Sequence, residues 1–334
     1  MAKKSYRRAI KEAIMQEITR DPRVILLGID VAGGQGGSGD VGSVGGVLGV
    51  TSGIYKAFGP DRVIDTPISE SAIIGAASGA AVTGMRPIAE LMFVDFVGVC
   101  LDQIYNQAAK FRYMFGGHAK TPMVIRTMIG AGFRAGAQHS QTLHPLLTSI
   151  PGLKVVMPAT PYDAKGLLIQ AIRDDDPVMF LESKALYDTE GEVPDEPYAI
   201  PFGEAALVRE GRDVTVVAFG AMVRRAVKVA DGLAKRGIRV EVLDPRTTSP
   251  LDELSILESL EKTGRLVIID ESPPRCSLAS DVAALAAGRG FHSLKAPVGQ
   301  VTCPHTPVPF APNLEDAYLP SPERIEAAVL ATLA

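Results

Sequence analysis

The chain predicts an α/β protein: an N-terminal doubly wound parallel-sheet domain followed by a second α/β domain. Three observations carry this. Runs that are apolar almost end to end, over 23–30, 86–93, 122–129 and 178–182, alternate with helical segments, as strands of a parallel sheet covered on both faces do. Between 187 and 201 the composition changes, with Pro194, Pro197 and Pro201 among Glu190, Glu192, Asp195 and Glu196 and no periodicity, which reads as a linker. The β–α alternation then restarts. We therefore expect one domain over 1–187, a linker over 188–201 and a second domain over 202–334; 334 residues suffice for two cores.

Each element has its own signal. Lys3, Lys4, Arg7 and Arg8 give a basic start, but Glu12 and Glu17 follow at once. Ala9, Ile10, Ala13, Ile14 and Ile18 then step at helical spacing, so the segment is read as the first helix and not a transit peptide. A strand over 23–30 leads into a glycine-rich loop and a short helix near 54–58. A strand over 62–68 is followed by a buried helix over 71–83, with Ser69 as its N-cap and Glu70 in the first turn. After a strand over 86–93, Val97, Leu101, Ile104, Ala108, Phe111 and Phe115 mark the seam of one long helix over 95–115. Strands over 122–129, 153–157 and 178–182 and a helix over 161–173 complete the first domain. The second has strands over 213–219, 239–244 and 265–270, helices over 222–235, 252–262 and 278–287, a proline-locked loop over 303–310, and a terminal helix from about 322.

Composition narrows the function. With 46% hydrophobic and 22% charged residues and a formal net charge of −4, nothing draws the chain to nucleic acid or an anionic membrane. No apolar run approaches a membrane span. Three scattered cysteines, Cys100, Cys276 and Cys303, fit a reducing compartment, so a cytoplasmic protein is expected. Cys303-Pro-His305 has no second ligand pair at zinc-site spacing.

Two glycine-rich loops compete for attention. Gly34-Gln-Gly36-Gly-Ser-Gly39 fits the dinucleotide fingerprint after a strand, with Asp61 and Asp65 where a ribose-binding acid belongs, so an NAD-dependent oxidoreductase is one alternative. Against it, the glycines run on through Gly42, Gly45, Gly46, Gly49 and Gly53, so no helix N-terminus opens where the pyrophosphate needs one. The second loop, from Gly130 to Gln141, delivers His139 between Gln138 and Gln141, with His144 just beyond. Glu70 is a lone carboxylate ahead of small and apolar residues. It is either a first-turn charge facing the helix dipole or a functional acid with a partner elsewhere in space. Phe93 and Phe96 fall at a strand-to-helix junction, the edge of an α/β sheet where ligands bind.

Asp65-Thr-Pro-Ile-Ser-Glu70, Glu90-Leu-Met-Phe-Val-Asp-Phe96, Gln138-His139-Ser-Gln141, Gly152-Leu-Lys-Val-Val-Met-Pro158, Asp244-Pro-Arg-Thr-Thr-Ser-Pro250 and Pro304-His-Thr-Pro-Val-Pro309 together resemble the β subunit of the E1 component of 2-oxo acid dehydrogenase complexes, in the transketolase-like group of thiamin diphosphate enzymes. The segment 106–117 and the pairs Pro274-Arg275 and Pro304-His305 are most similar to the acetoin dehydrogenase branch, with pyruvate dehydrogenase β subunits next.

The resemblance implies a pyrimidine-binding domain and a transketolase-type C-terminal domain. It makes Glu70 the acid facing the aminopyrimidine of thiamin diphosphate, where it favours the imino tautomer that takes the thiazolium C2 proton. Ile68, Met92 and Phe96 become the apolar wall, and His139 an acid/base group for the substrate or the lipoyl group. The family holds the diphosphate and Mg²⁺ through a Gly-Asp-Gly motif with paired asparagines on its α subunit. Gly39-Asp40-Val41 breaks that pattern here, which implies an obligate α partner, an α2β2 assembly and an active site at the interface. Met123, Ala171, Ile172, Asp174 and Asp176 match a structural monovalent-cation (K⁺) site of some relatives; Asp174–Asp176 also reads as a plain helix stop. The implied activity is cleavage of the small molecule acetoin to acetaldehyde, the other two carbons passing in oxidised form to the lipoyl group of an E2 acyltransferase. A pyruvate or other 2-oxo acid dehydrogenase, or a non-catalytic scaffold in which Glu70 merely caps a helix, are the alternatives.

Overall fold

The computed structural model describes residues 1–33, 45, 46 and 48–334. It divides into two compact units: Met1–Ile129 with Leu146–Glu182 and Leu186–Phe202, and Gly130–Pro145 with Ser183–Ala185 and Gly203–Ala334. The loop carrying His139 thus belongs with the C-terminal unit, although it lies within the first 187 residues.

The first unit contains β1 (Ala2–Ser5), β2 (Val24–Gly28), β3 (Val63–Asp65), β4 (Arg86–Phe93), β5 (Val124–Ile129), β6 (Lys154–Val156), β7 (Val178–Ser183) and β8 (Glu190–Val193). Its main sheet runs β6-β7-β5-β4-β2-β3, with parallel ladders joining β2 to β3 and β4, β4 to β5, and β6 to β7. Strands β2, β5 and β7 are buried along their whole length, as strands covered on both faces must be. The helix Tyr6–Arg20 opens where the Ser5 side chain accepts from the Arg8 N–H, and it buries Ala9, Ile10, Ala13, Ile14 and Ile18, the residues whose spacing predicted it. Each of the three isoleucines contributes about 1.5–3 kcal/mol on full burial, and the alanines less. The helix Pro161–Arg173 starts on the Thr160 cap with proline in its first turn. Glu17, wholly buried, is neutralised by Arg20 and Arg173.

Four expectations need correction. The segment 188–201 is not structureless: β8 pairs antiparallel with β1, from Ala2 opposite Val193 to Ser5 opposite Glu190. The strand expected over 62–68 stops at Asp65, because Pro67 lacks the N–H a ladder needs, and Ile68 is 80% exposed. The helix Glu70–Val82 buries only one face, through Ile73, Ile74, Ala77, Ser78 and Ala81. Finally, the long helix over 95–115 is broken. A 3₁₀ turn, Val94–Phe96, leads into Val97–Asp102, a π-helical stretch, Gln103–Ala108, and a short helix, Phe111–Met114. The wide turn, closed by the Ala109 N–H donating to Ile104 O at 3.1 Å, rotates the rest of the segment off the seam. Val97, Ile104 and Ala108 are buried, while Phe115 is left 52% exposed.

The second unit carries β9 (Ala206–Arg209), β10 (Val214–Ala218), β11 (Val240–Asp244), β12 (Thr247–Ser249), β13 (Leu266–Asp270) and β14 (Gly299–Thr302). Its five-stranded sheet runs β14-β13-β10-β11-β9, parallel except where β9 meets β11. Helices Met222–Ala234, Glu253–Thr263, Leu278–Gly288 and Pro322–Ala331 fall where the sequence placed them. Asp252, Ser277 and Ser321 cap three of these. Gly264 closes the second in the left-handed region (φ 75°), where a Cβ would be disfavoured.

Candidate functional site

In the first unit the carboxyl ends of β2, β3 and β4 lie side by side, since Gly28 faces both Asp65 and Glu90 in register. Three of the predicted residues stand just beyond these ends. Glu70 opens the helix Glu70–Val82 and is half-buried, not fully buried as expected. The expected cap is also absent: Ser69 makes no capping bond, and its hydroxyl donates to Pro67 O at 3.1 Å. Met92 and Phe96 are half-buried, and Phe96 packs edge-on against Phe93 with ring centroids 5.7 Å apart. The helix is tied to the next segment by the Ser71 hydroxyl, which donates to Val99 O.

Glu70 has a buried neighbour that the sequence did not announce. Cys100 is fully buried and donates weakly to Phe96 O at 3.7 Å. Burial, and then the Glu70 carboxylate, push its thiol up to about 12. The thiol therefore stays protonated, and the acid looks onto a neutral wall. Thr66 Oγ1, on the same loop, is shut off from solvent and has no hydrogen-bond partner among the described residues. An acid on an apolar rim beside an unsatisfied buried hydroxyl suits a flat heteroaromatic ring with a basic nitrogen.

Below this rim sits a buried ionic cluster that the sequence reading missed. Arg126 on β5 donates to both carboxylate oxygens of Glu182 on β7, at 2.7 and 2.9 Å, and to Glu90 Oε2 on β4 at 2.8 Å. Tyr187 donates to Glu182 Oε2 at 2.6 Å. Burial raises the Glu90 pKa and Arg126 opposes the shift. Burial works against the Arg126 cation, but Glu182 and Glu90 outweigh it and the guanidinium stays charged. The available signal was a charged residue inside each of three largely apolar strands, Glu90, Arg126 and Glu182. Gly46 packs against this cluster, since a Cβ there would lie 2.6 Å from Glu90 Oε1.

In the second unit His139 is half-buried at a turn where its N–H donates to Gly136 O at 3.3 Å, and its carbonyl accepts from Lys184 Nζ. His144 is a buried partner of an acid: its Nε2 lies 2.8 Å from Asp270 Oδ1, and both side chains are wholly buried. Ser272 donates to the other Asp270 oxygen at 2.6 Å. Burial opposes the Asp270 anion, but His144 wins and holds its pKa below the usual carboxylate range. Glu271 accepts from the Ala131 N–H at 2.7 Å, yet burial lifts its pKa to about 7. A cleft of about 440 Å³ opens beside this loop, lined by Ala137, Gln141, Pro273, His305 and Tyr318 among others.

The residues named for a monovalent cation carry cations of their own. Ile172 O and Asp174 O accept from Arg86 at 3.0 and 2.8 Å. The Asp174 carboxylate binds Lys154 at 2.7 and 2.8 Å, and Asp176 binds Lys154 at 3.2 Å. Met123 O and Ala171 O accept backbone N–H groups. A K⁺ ion at these residues would share their oxygens with a guanidinium and an ammonium. Among the described residues no cluster of three or more His, Cys, Asp or Glu could hold a metal. The fingerprint Gly34–Gly39 and the Gly39-Asp40-Val41 departure lie outside the described residues. Among the described residues no helix is long and apolar enough to cross a membrane.

Residues 2–189 match the transketolase pyrimidine binding domain and residues 203–325 the transketolase C-terminal domain. The chain is 63% identical, over all of its length and 98% of the relative, to the acetoin:2,6-dichlorophenolindophenol oxidoreductase subunit beta of Cupriavidus necator. It is 58% identical, over 97% of its length and 96% of the relative, to the subunit of the same name from Bacillus subtilis. A solved split-gene transketolase, described as an inactive beta4 tetramer, shares the fold with a TM-score of 0.78 over 98% of both chains at 23% identity.

Proposed function

The chain belongs to the transketolase-like family of E1 β subunits that includes the acetoin:2,6-dichlorophenolindophenol oxidoreductases, and from that premise we propose that it is the β half of an acetoin-cleaving, thiamin diphosphate-dependent dehydrogenase. The observation that carries the site assignment is the placement of Glu70: a half-buried carboxylate in a first helical turn, beside a buried neutral thiol and an apolar rim.

Thiamin diphosphate, when bound, supplies a carbon nucleophile and a sink for the electrons released by C–C cleavage. The residues of this chain prepare the site for it. Glu70 holds a proton at the pyrimidine ring nitrogen, and its low-dielectric surroundings strengthen that hydrogen bond. Met92 and Phe96 keep water from the ring, and Ile68, exposed in the single chain, completes that wall on assembly. His139 moves a proton to or from the substrate oxygen. The diphosphate and Mg²⁺ are assigned to a separate α subunit, in an α2β2 assembly that hands its product to the lipoyl group of an E2 acyltransferase. The three free cysteines suit the cytoplasm.

The test is co-expression with an α subunit, followed by assay of acetoin and pyruvate with 2,6-dichlorophenolindophenol as acceptor. Acetoin turnover that falls by about 10²-fold or more in Glu70→Gln supports the reading. Preference for pyruvate defeats the substrate assignment, and an unaffected Glu70→Gln enzyme defeats the site.

A further inference from the structure

Lys184 is 2% exposed, and its ammonium is directed at the carbonyl oxygen of His139. A buried ammonium is costly unless its protons are satisfied and a negative charge lies near. Glu271, also buried, is near enough to feel that charge: Lys184 is among the cations that oppose the burial-driven rise of its pKa.

The backbone around His139 explains why the site holds such a group. The loop leaves β5 at Gly130, whose N–H donates to Gln141 O at 2.9 Å and closes the base. Glu271 takes the Ala131 N–H, and the Thr142 hydroxyl donates to Glu271 O at 2.6 Å. Glu315, wholly buried, accepts from the N–H groups of Gly132 at 2.5 Å and Arg134 at 3.1 Å. Both legs of the loop are therefore pinned. Its apex is bent by Gly136, whose φ of 76° lies in the left-handed region. Ala137 and Gln141, on either side of His139, line the cleft of about 440 Å³. Lys184 opens the short 3₁₀ turn Lys184–Leu186 directly after β7.

We propose that Lys184 is a positioning residue that fixes the backbone of His139 at the wall of this cleft. The proposal rests on the reading of His139 as the group that exchanges a proton with substrate. Lys184 acts through His139 and touches no reacting atom. A long cation with several donors can hold a carbonyl from a distance, and an uncharged isostere such as methionine cannot.

The experiment uses the assembled enzyme with its α subunit and acetoin as substrate. Lys184→Met is expected to lower kcat about tenfold or more while KM stays within about twofold, because a misplacement near 1 Å is enough to cost rate without binding. Lys184→Arg should recover at least about half of the loss, since its guanidinium also donates. In a His139→Ala background Lys184→Met should cost nothing further, the signature of two residues acting as one unit. Without substrate, hydrogen exchange of the amides over 136–141 should quicken several-fold in Lys184→Met. Full additivity with His139→Ala, or unchanged exchange, overturns the proposal. If Lys184→Met does not assemble, the same two measurements on Lys184→Gln, uncharged and too short to reach the carbonyl, decide, and wild-type values in both overturn it. A wild-type enzyme inert toward acetoin defeats the substrate assignment instead, and the exchange result still decides on Lys184.

Discussion

Arg126 grips both carboxylate oxygens of Glu182, at 2.7 and 2.9 Å, in a position where the guanidinium is 2% exposed and the carboxylate 1%. The pair is held in the sheet by adjacent strands, and Glu90 and Tyr187 complete it. Removing the cation would strand two carboxylates in the interior.

We therefore expect Arg126→Met to destabilise the protein by about 3–5 kcal/mol, read as a lowered urea midpoint. Adding Glu182→Gln should restore part of the loss, because it takes away one of the stranded charges. A single substitution within about 1 kcal/mol of wild type would mean that the cluster contributes little beyond packing.

Glu271 gives stability a pH dependence. Its pKa is raised from the ordinary 4.5 to about 7, first by burial, so the folded state binds a proton that the unfolded chain has released. Its contribution is fully present below the unfolded value and is lost as pH rises through about 7. The span is on the order of 3 kcal/mol. Glu271→Gln keeps an acceptor for the Ala131 N–H but does not titrate. Denaturation midpoints measured between about pH 5 and 8 should fall less steeply with pH in this variant than in wild type. Parallel curves would contradict the assignment.

Much of the first unit could be read from spacing. Ala9, Ile10, Ala13, Ile14 and Ile18 lie on one helix face because five apolar residues at helical steps have few other solutions. The seam over 95–115 obeyed the same rule and misled, because a single π-helical turn leaves no mark on composition. The ionic cluster escaped because its partners lie 36 and 56 residues apart in sequence. The loop that carries His139 joins the second unit through Glu271 and Glu315, more than a hundred positions downstream, which no local pattern encodes. The apolar context of Glu70 was legible, but its half-exposed state and its neighbour Cys100 were not.

The thiols offer a quick check on packing. Cys276 is exposed, while Cys100 and Cys303 are buried. Burial pushes the Cys100 thiol up to about 12 and raises that of Cys303 as well. Iodoacetamide at about pH 8 should label Cys276 alone in the native chain, and all three once it is unfolded. Native labelling of Cys100 would mean that the helix bearing Glu70 does not cover it.

The role of Glu70 is tested most directly by the exchange of the thiazolium C2 proton of bound thiamin diphosphate in deuterated water, followed in the assembled enzyme without substrate. Glu70→Gln should slow that exchange by about 10²–10⁴-fold while the coenzyme remains bound. Exchange at the wild-type rate with coenzyme bound would contradict the assignment of Glu70 as the acid that readies the pyrimidine.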